Sequence, residues 1–276
     1  MKKKPKELYL DLMKRTLSFT LWQEPPLPID AFNSGRRLPI KLAVSFVSRI
    51  LKALRLQLVQ LKAYTPAQRE EGWIWPRYAD TMIGLKRLDS LQYCVETALR
   101  ENIEGDLIET GVWRGGACIL MRAILAAHGI ENRYVYVADS FEGLPKPDAV
   151  QFSDDKGDTH HLHSFLAVSQ DEVENNFRRY GLLDDRVVFL KGWFKDTLPN
   201  VPIKKLAVLR LDGDMYSSTI DALTNLYSKL SKGGFCIIDD YALPGCKKAV
   251  DDFRSANGIH AELQVVDWTG RYWRKE

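Results

Sequence analysis

The sequence contains no uninterrupted apolar stretch of the roughly 20 residues that a transmembrane helix needs. It also lacks a secretory signal, because Asp11, Lys14 and Arg15 interrupt the apolar positions that follow the basic N-terminal residues. Internal repeats and low-complexity tracts are absent as well. These absences favour a globular protein of the cytoplasm.

Cysteine is scarce, and its spacing matches neither a CxxC motif nor a disulfide framework. Two of the four cysteines lie in apolar runs that are typical of a buried core. We therefore expect reduced thiols, as in other cytoplasmic proteins. The four residues are Cys94, Cys118, Cys236 and Cys246.

The net charge of +3 is too small to indicate nucleic-acid binding by itself. The hydrophobic content of 45% and the charged content of 27% are ordinary for a soluble globular protein. A chain of 276 residues can bury a sizeable core, so we expect one catalytic domain with at most an accessory segment.

The charge is nevertheless uneven, because residues 31–69 contain eight Lys or Arg and no acid. Residues 40–64 read as a helix whose cations share one arc of about 140°, which leaves a broad apolar face. Packing on the protein's own core or on a second copy would cover that face; adsorption to an anionic membrane is the alternative. The eight cations are Arg36, Arg37, Lys41, Arg49, Lys52, Arg55, Lys62 and Arg69.

From about residue 105 onward, short apolar runs alternate with helical stretches or connections. The runs are DLIETGVW, RYVYVADSF, RVVFLKGWF, LAVLRLD and FCIIDD, and this alternation predicts a doubly wound, mainly parallel sheet. AELQVVDW and GRYWRKE indicate a closing hairpin that can add an antiparallel edge. Upstream, LDSLQYCVETALREN predicts a helix on the sheet, and four prolines in residues 23–39 indicate a linker.

Two aspartate pairs follow two of these predicted strands. Asp212 and Asp214 lie in LAVLRLDGDMYSST, and Asp239 and Asp240 lie in GGFCIIDDY. Because open α/β sheets bind ligands at the carboxyl ends of their strands, these carboxylates should converge there. Four acids brought together repel one another unless a cation neutralises them, and oxygen ligands suit Mg²⁺, Mn²⁺ or Ca²⁺. Capping of the following helices, with Asp214 at the start of MYSSTIDALTNLYSKL, is the alternative.

A glycine-rich turn, IETGVWRGGA, follows the first predicted strand and opens a helix, where free N–H groups can face a ligand. A nicotinamide dinucleotide fits poorly, since the GxGxxG motif and its acid about 20 residues later are missing. An adenosyl ligand without a pyrophosphate fits better. Glu109 and Asp139 could serve its cationic amino-acid moiety and its ribose hydroxyls.

The motifs in which these residues lie closely resemble the macrocin O-methyltransferase family, which includes mycinamicin and novobiocin sugar O-methyltransferases. They are GDLIETGVWRGGACILMRA, YVADSFEGLPKPD, RRYGLLDDRVVFLKGWFKDTLP, LAVLRLDGDMYSST and GGFCIIDDY. The similarity covers residues 7–22 and about 73–276. It implies a Rossmann-like class I methyltransferase, with an N-terminal helical extension over residues 1–75 and a methyltransferase domain over 76–276.

The resemblance also implies the roles of individual residues. Asp212, Asp239 and Asp240 match the family's metal ligands, and Asp214 matches its proposed base. S-adenosylmethionine and Mg²⁺ or Mn²⁺ are the implied cofactors, and a saccharide or glycoside is the implied acceptor. The implied cofactor contacts are Thr81, Met82, Glu109, Thr110, Gly111, Val112, Trp113, Asp139, Ser140, Phe141, Ser169, Lys195, Asp196 and Asp212.

This chain departs from the family's pattern in two places. Asp80 stands where members usually have a histidine before the Thr-Met pair, which leaves the role of that histidine in doubt. The basic segment 40–64 reads as an insertion relative to the antibiotic-tailoring members. A homo-oligomer is expected to bury its apolar face, with peripheral membrane contact as the weaker alternative.

Residues 145–169, which we call the lid segment, are placed to close the site from water. Its histidines, His160, His161 and His163, lack a second ligand pair for zinc, so we interpret them as part of a solvated loop. Two other functions remain open. A catechol-type O-methyltransferase would share the metal and cofactor but commonly uses a lysine base where this chain has Asp214, and a non-catalytic binding module would not need these carboxylates.

Overall fold

The computed structural model describes residues 4–29, 37–61, 64–74 and 76–276. In chain order it contains α1 Pro5–Leu17, β1 Leu27–Pro28, α2 Leu38–Ala53, β2 Val59–Gln60, α3 Pro66–Glu71, α4 Leu85–Arg100, β3 Asp106–Thr110, α5 Gly116–Ala127, β4 Val135–Asp139, α6 Gln170–Arg179, β5 Val187–Lys191, α7 Phe194–Thr197, β6 Leu206–Leu211, α8 Tyr216–Leu226, β7 Leu230–Ile238, α9 Pro244–Ala256, β8 Gln264–Val265 and β9 Arg271–Arg274. Short 3-10 turns occupy part of the lid segment.

A seven-stranded sheet forms the centre of the molecule, in the order β5-β4-β3-β6-β7-β9-β8. The strands β3 to β7 run parallel, whereas β9 is antiparallel to both β7 and β8. The predicted doubly wound, mainly parallel sheet and its antiparallel closing hairpin are therefore confirmed.

Alternate residues of the strands face two separate hydrophobic layers, as the period of a strand requires. Leu107 of β3 packs in a layer with α1, α4, α5 and α6, while its neighbour Ile108 packs on the other side with α8 and α9. Leu10 and Leu17 of α1 belong to the first layer and are fully buried. The N-terminal helix is thus part of the main core.

The direction of winding reverses between β3 and β6, which creates the crevice where open α/β sheets bind ligands. Gly111 follows β3 with φ +87, and a Cβ added there would lie 1.7 Å from the carbonyl oxygen of Asp212. Only glycine allows these two strand ends to approach so closely. Asp212 N donates to Thr110 O at 2.9 Å, which fixes the approach.

The helix predicted over residues 40–64 is shorter in the structure. The helix α2 ends at Ala53, Arg55 adopts a left-handed φ of 58°, and β2 pairs antiparallel with β1. The extension of this helix to Tyr64 was therefore wrong. Arg36 and Lys62 of the basic segment lie outside the described residues, as do residues 30–36 of the predicted linker.

One face of α2 turns Val44, Ser48 and Leu51 inward, while its large apolar side chains remain exposed. Among the described residues, no helix is both long and apolar enough to cross a membrane. All four cysteines are buried free thiols, as predicted. The exposed apolar positions of α2 and its C-cap are Leu38, Ile40, Leu42, Phe46, Val47, Ile50 and Leu54.

Candidate active site

The strand ends on either side of the crevice bring the predicted acids together. Glu109 ends β3 with Thr110, Asp212 follows β6, and Asp239 and Asp240 follow β7. The side chains of Asp212, Asp239 and Asp240 can offer oxygens that all lie within 4.8 Å of one another. The parallel strands thus bring three carboxylates together, and this set could hold a hard divalent cation.

A buried arginine on β6 neutralises part of the negative charge of these carboxylates. Arg210 on β6 is 1% exposed and donates to Glu109 Oε1, to Asp212 Oδ2 at 2.9 Å and to Asp239 Oδ1. Burial disfavours its charge, but the carboxylates of Asp239 and Glu109 outweigh that effect and hold the arginine pKa well above its ordinary value. Removing such a partner would leave several buried carboxylates without a cation, so Arg210 is a structural requirement of the site.

A second arginine, Arg87 on α4, holds the other side of Asp239. Its guanidinium donates to Asp239 Oδ2 and, through Nε, to Asp267 Oδ2 at 2.9 Å. Asp267 lies between β8 and β9 and also accepts from the backbone N–H groups of Thr269 and Gly270. Both oxygens of Asp239 are therefore fixed by arginines from two elements.

The two arginines do not balance the whole cluster. Burial first, and then the charges of Asp214, Asp212 and Asp239, raise the pKa of Asp240 well above its ordinary value. Burial and Asp239 likewise raise the pKa of Asp212. Neighbouring carboxylates thus add to the effect of burial at both residues, and a bound divalent cation would neutralise this negative charge. The residues present therefore fit a metal.

Asp214 occupies a strained position beside this cluster. It has a left-handed φ of 57°, uncommon for a residue other than glycine, and its N–H donates to Asp240 Oδ2 at 3.4 Å. Burial, followed by the charge of Asp212, raises its pKa to about 7. A carboxyl group in a crevice whose pKa lies close to neutral pH is suited to proton transfer at physiological pH.

Asp214 does not cap the following helix, as the alternative interpretation required. The N-cap residue of α8 is Met215, which makes no side-chain cap. Asp155 of the lid segment supplies the cap instead, accepting from Tyr216 N at 2.7 Å and from Ser217 N at 3.0 Å. The carboxyl of Asp214 is thus left available to the cavity, which it lines.

Asp139 fixes the backbone around the predicted cofactor. Its carboxylate accepts from Val112 N and from Phe141 N, both at 2.7 Å, and so joins the turn after β3 to the turn after β4. Glu109 is 2% exposed and accepts from Cys118 Sγ at 2.8 Å. Burial raises the pKa of Glu109 to about 7 even though Arg210 opposes that shift.

Two adjoining cavities open at this edge of the sheet. One, of about 250 Å³, lies over the turns after β3, β4 and β5 and is closed on one side by the lid segment. The other, of about 170 Å³, lies over the carboxylates and reaches Arg87 and His160. Both include Met82, Trp113, Leu166, Asp212 and Asp214, which shows that they are parts of one crevice.

Most of the predicted cofactor residues line this crevice, but four do not. Ser169 caps α6 by accepting from Glu172 N, and Phe141 is buried against Phe189. Thr110 is buried, and Asp196 lies on α7 outside both cavities. The residues of the predicted set that line the crevice are Thr81, Met82, Glu109, Gly111, Val112, Trp113, Asp139, Ser140, Lys195 and Asp212.

Asp80, which stands at the position of the family's histidine, also lies outside the crevice. Its carboxylate accepts from Tyr180 Oη at 2.6 Å, and its carbonyl oxygen accepts from Gly116 N at 3.0 Å. It therefore ties α6 and α5 together and makes a structural contribution here.

The sequence analysis missed Arg87, Arg210, Asp155 and His160. Arg210 had a visible signal, since a cation inside the apolar run LAVLRLD must find buried acids or fail to fold. Arg87 and Asp155 are brought to the site by long-range contacts and gave no local signal. His160 lies in a loop, as interpreted, and its side chain is partly exposed, but it also lines the carboxylate cavity.

Comparison with known proteins places the whole chain in one family. The sequence model described as Macrocin-O-methyltransferase (TylF) matches residues 6–275. The 8-demethyl-8-(2,3-dimethoxy-alpha-L-rhamnosyl)-tetracenomycin-C 4'-O-methyltransferase of Streptomyces olivaceus is 47% identical over 98% of this chain and 93% of its own length. The mycinamicin III 3''-O-methyltransferase of Micromonospora griseorubida is 46% identical, over 98% and 96%.

A solved structure agrees with the sequence relatives. The O-methyltransferase NovP superposes with a TM-score of 0.82 and 46% identity, covering 98% of this chain and 99% of NovP. A calicheamicin methyltransferase, CalS11, shares the fold with a TM-score of 0.56 at 18% identity.

Proposed function

Because the chain belongs to the macrocin O-methyltransferase family, we propose that it methylates a hydroxyl group of a sugar or of a glycosylated natural product. Membership makes the chain an S-adenosylmethionine-dependent O-methyltransferase. The observation that carries the choice of acceptor is that relatives at 46–48% identity over almost the whole chain are named for such products. The cytoplasm remains the expected location.

The chemistry follows from the two parts of the crevice. S-adenosylmethionine supplies a methyl group on a sulfonium centre, and the turns after β3, β4 and β5 are placed to hold it through Glu109, Asp139 and Ser140. Asp212, Asp239 and Asp240 would hold a divalent cation, which lowers the pKa of a nearby hydroxyl. A sugar hydroxyl is a poor nucleophile at neutral pH, so this assistance is needed.

Asp214 is the proposed base. Its carboxyl faces the cavity above the carboxylates, where it can take the proton of the acceptor hydroxyl. The lid segment lines this cavity through His160 and Leu166, and its closure over a bound acceptor would exclude water and strengthen the charge interactions inside. Arg87 and Arg210 hold Asp239 still while these charges change.

A catechol-type enzyme would place a lysine beside the carboxylates, but Lys146 and Lys195, the lysines that line the crevice, belong to the adjoining cavity. Among the described residues, the cavity over the carboxylates is lined by Arg87 and His160 as its only basic side chains, and by no lysine. A non-catalytic module would not need five carboxylates and two arginines at one edge of the sheet. Both alternatives are therefore less well supported than sugar methylation.

Turnover of glycosides tests the proposal. We expect the purified protein to convert S-adenosylmethionine to S-adenosylhomocysteine when it is given mycinamicin III, demethyldecarbamoylnovobiocin or the rhamnosyl tetracenomycin on which the Streptomyces olivaceus relative acts. Mass spectrometry should find one added methyl group on the sugar. Catechol serves as the comparison acceptor, and faster methylation of catechol than of all three glycosides would contradict the proposal.

We further propose that α2 packs against a second copy of this chain. Leu42, Phe46, Ile50 and Leu54 follow one another at intervals of four residues and are 48–65% exposed. Seven large apolar side chains of α2 and its C-cap are exposed in all, and a patch of this kind is typical of a surface that a partner covers. We favour a second copy over a membrane as the occupant of this face, as the sequence analysis expects.

Two charged residues introduced on this apolar face of α2 should separate the copies. We expect the double variant Phe46→Glu and Ile50→Glu to show the monomer mass in light scattering, because burying two carboxylates in an apolar contact is unfavourable. Val150→Glu, at an apolar side chain 99% exposed elsewhere, should leave the mass unchanged. An unchanged mass in the double variant, with loss of salt-sensitive binding to anionic vesicles, would support the membrane alternative instead.

A further inference from the structure

The lid segment is fastened to the element that follows the proposed base. Asp155 is 3% exposed, and its two oxygens accept from Tyr216 N and Ser217 N, the first N–H groups of α8. Trp113 Nε1 donates to Phe165 O at 2.9 Å and fastens the far end of the same segment. The residues between these two anchors are therefore held over the carboxylate cavity.

His160 lies between the anchors, and Asp158 orients its ring. Asp158 Oδ1 accepts from His160 N at 2.8 Å, and Asp158 Oδ2 lies 2.7 Å from His160 Nδ1. Since an ionised carboxylate can only accept, Nδ1 must carry a proton in this contact. Nε2 is left as the free ring nitrogen, and it has no hydrogen-bond partner among residues 4–29, 37–61, 64–74 and 76–276.

The imidazole of His160 shares the carboxylate cavity with Asp212, Asp214, Asp239 and Asp240. It belongs to the lid segment, whereas all four aspartates belong to the sheet edge, so the two sets of groups meet from different sides. Burial alone would lower the pKa of His160. The hydrogen bond with Asp158 and the charge of Asp214 outweigh burial, so the pKa of His160 lies above its ordinary value.

We propose that His160 is a further catalytic residue, whose Nε2 forms a hydrogen bond with a hydroxyl group of the sugar acceptor when the lid segment is closed. This proposal rests on the proposed function. A sugar presents several neighbouring hydroxyls, and contacts on one side alone would leave it free to rotate. A contact from the lid segment fixes which hydroxyl faces Asp214, and such orientation accelerates a reaction between bound groups.

Two amide variants separate this role from a structural one. The side-chain amide of glutamine reaches the place of Nε2, whereas that of asparagine reaches only the place of Nδ1. We expect His160→Ala to lower kcat/KM for the acceptor by about 10- to 100-fold, the scale of one lost hydrogen bond in a closed site. His160→Gln should recover most of this loss, and His160→Asn should not.

The variants are compared with the wild type on whichever of the three glycosides the wild type methylates fastest. The Kd of S-adenosylmethionine, measured by calorimetry, should be unchanged in all of them, which shows that the site is folded. His163→Ala is the matched control, because His163 lies in the same segment but lines neither cavity. It should keep the wild-type kcat/KM.

Recovery by His160→Asn but not by His160→Gln would mean that His160 acts only through Asp158, and it would overturn the proposal. Wild-type activity in His160→Ala, or an equal loss in His163→Ala, would overturn it too. A wild-type enzyme that methylates none of the glycosides would instead contradict the proposed function, and the acceptor contact with it.

Discussion

Chelation of divalent cations should abolish methyl transfer, and Mg²⁺ should restore it. The reason is the charge of the crevice, where two arginines face more carboxylates than they can neutralise. Replacing one ligand, in Asp240→Asn, should raise the Mg²⁺ concentration for half-maximal activity by roughly 100-fold, because ligand charge sets the affinity of such sites.

Asp240 is the informative position among the three ligands. Both oxygens of Asp239 are held by arginines, so Asp239→Asn would also leave Arg87 and Arg210 incompletely paired and confuse folding with binding. Burial and neighbouring acids raise the pKa of Asp240, so its charge destabilises the metal-free site. Asparagine there should therefore leave the metal-free protein at least as stable as the wild type.

Thermal melting gives a readout that does not depend on turnover. A ligand at 100 times its Kd stabilises a folded protein by about 2.7 kcal/mol, so Mg²⁺ should raise the Tm of the wild type and not that of Asp240→Asn at the same concentration. Asp251→Asn on the exposed side of α9 is the control and should respond as the wild type does. Full activity in excess EDTA would show that the reaction needs no metal.

Replacement of the proposed base, in Asp214→Asn, should lower kcat by roughly 100-fold or more, the usual contribution of a positioned general base. Asparagine has the same shape and tolerates the left-handed backbone at this position, so the fold should persist. The Kd of S-adenosylmethionine should stay near the wild-type value, because the proposed cofactor contacts Glu109, Asp139 and Ser140 are unchanged.

Single-turnover kinetics separate this loss from slow product release. Asp251→Asn again serves as the control and should keep the wild-type kcat. If Asp214→Asn keeps it as well, the base lies elsewhere, and His160, which lines the same cavity and is not a proposed metal ligand, is the next candidate.

The sheet was predictable because each of its parallel strands is an apolar run that ends at a turn. Runs such as LAVLRL are buried on both faces, so their composition alone shows their place. The aspartates could be assigned to one edge by the same argument, because parallel strands share a carboxyl end. The local pattern and the tertiary structure agree throughout this part of the chain.

The contacts that tune the site could not be predicted, because they join distant parts of the chain. Arg87 meets Asp239 across 152 positions, and Asp155 meets the first turn of α8 across about 60. The early end of α2 has the same origin, since Val59 and Gln60 pair with residues near position 27. Helical periodicity continues past Ala53, but strand pairing overrides it.

The contact between Arg87 and Asp267 also bears on how the protein is made. Asp267 is synthesised 180 residues after Arg87, which at 5–20 residues per second is a delay of roughly 10 to 40 s. During that time Arg87 lacks one of its two acids, and Asp239 is itself a late arrival. The emerging chain therefore cannot use this site to stabilise itself, and its parallel strands must fold without these ion pairs until the closing hairpin joins the sheet.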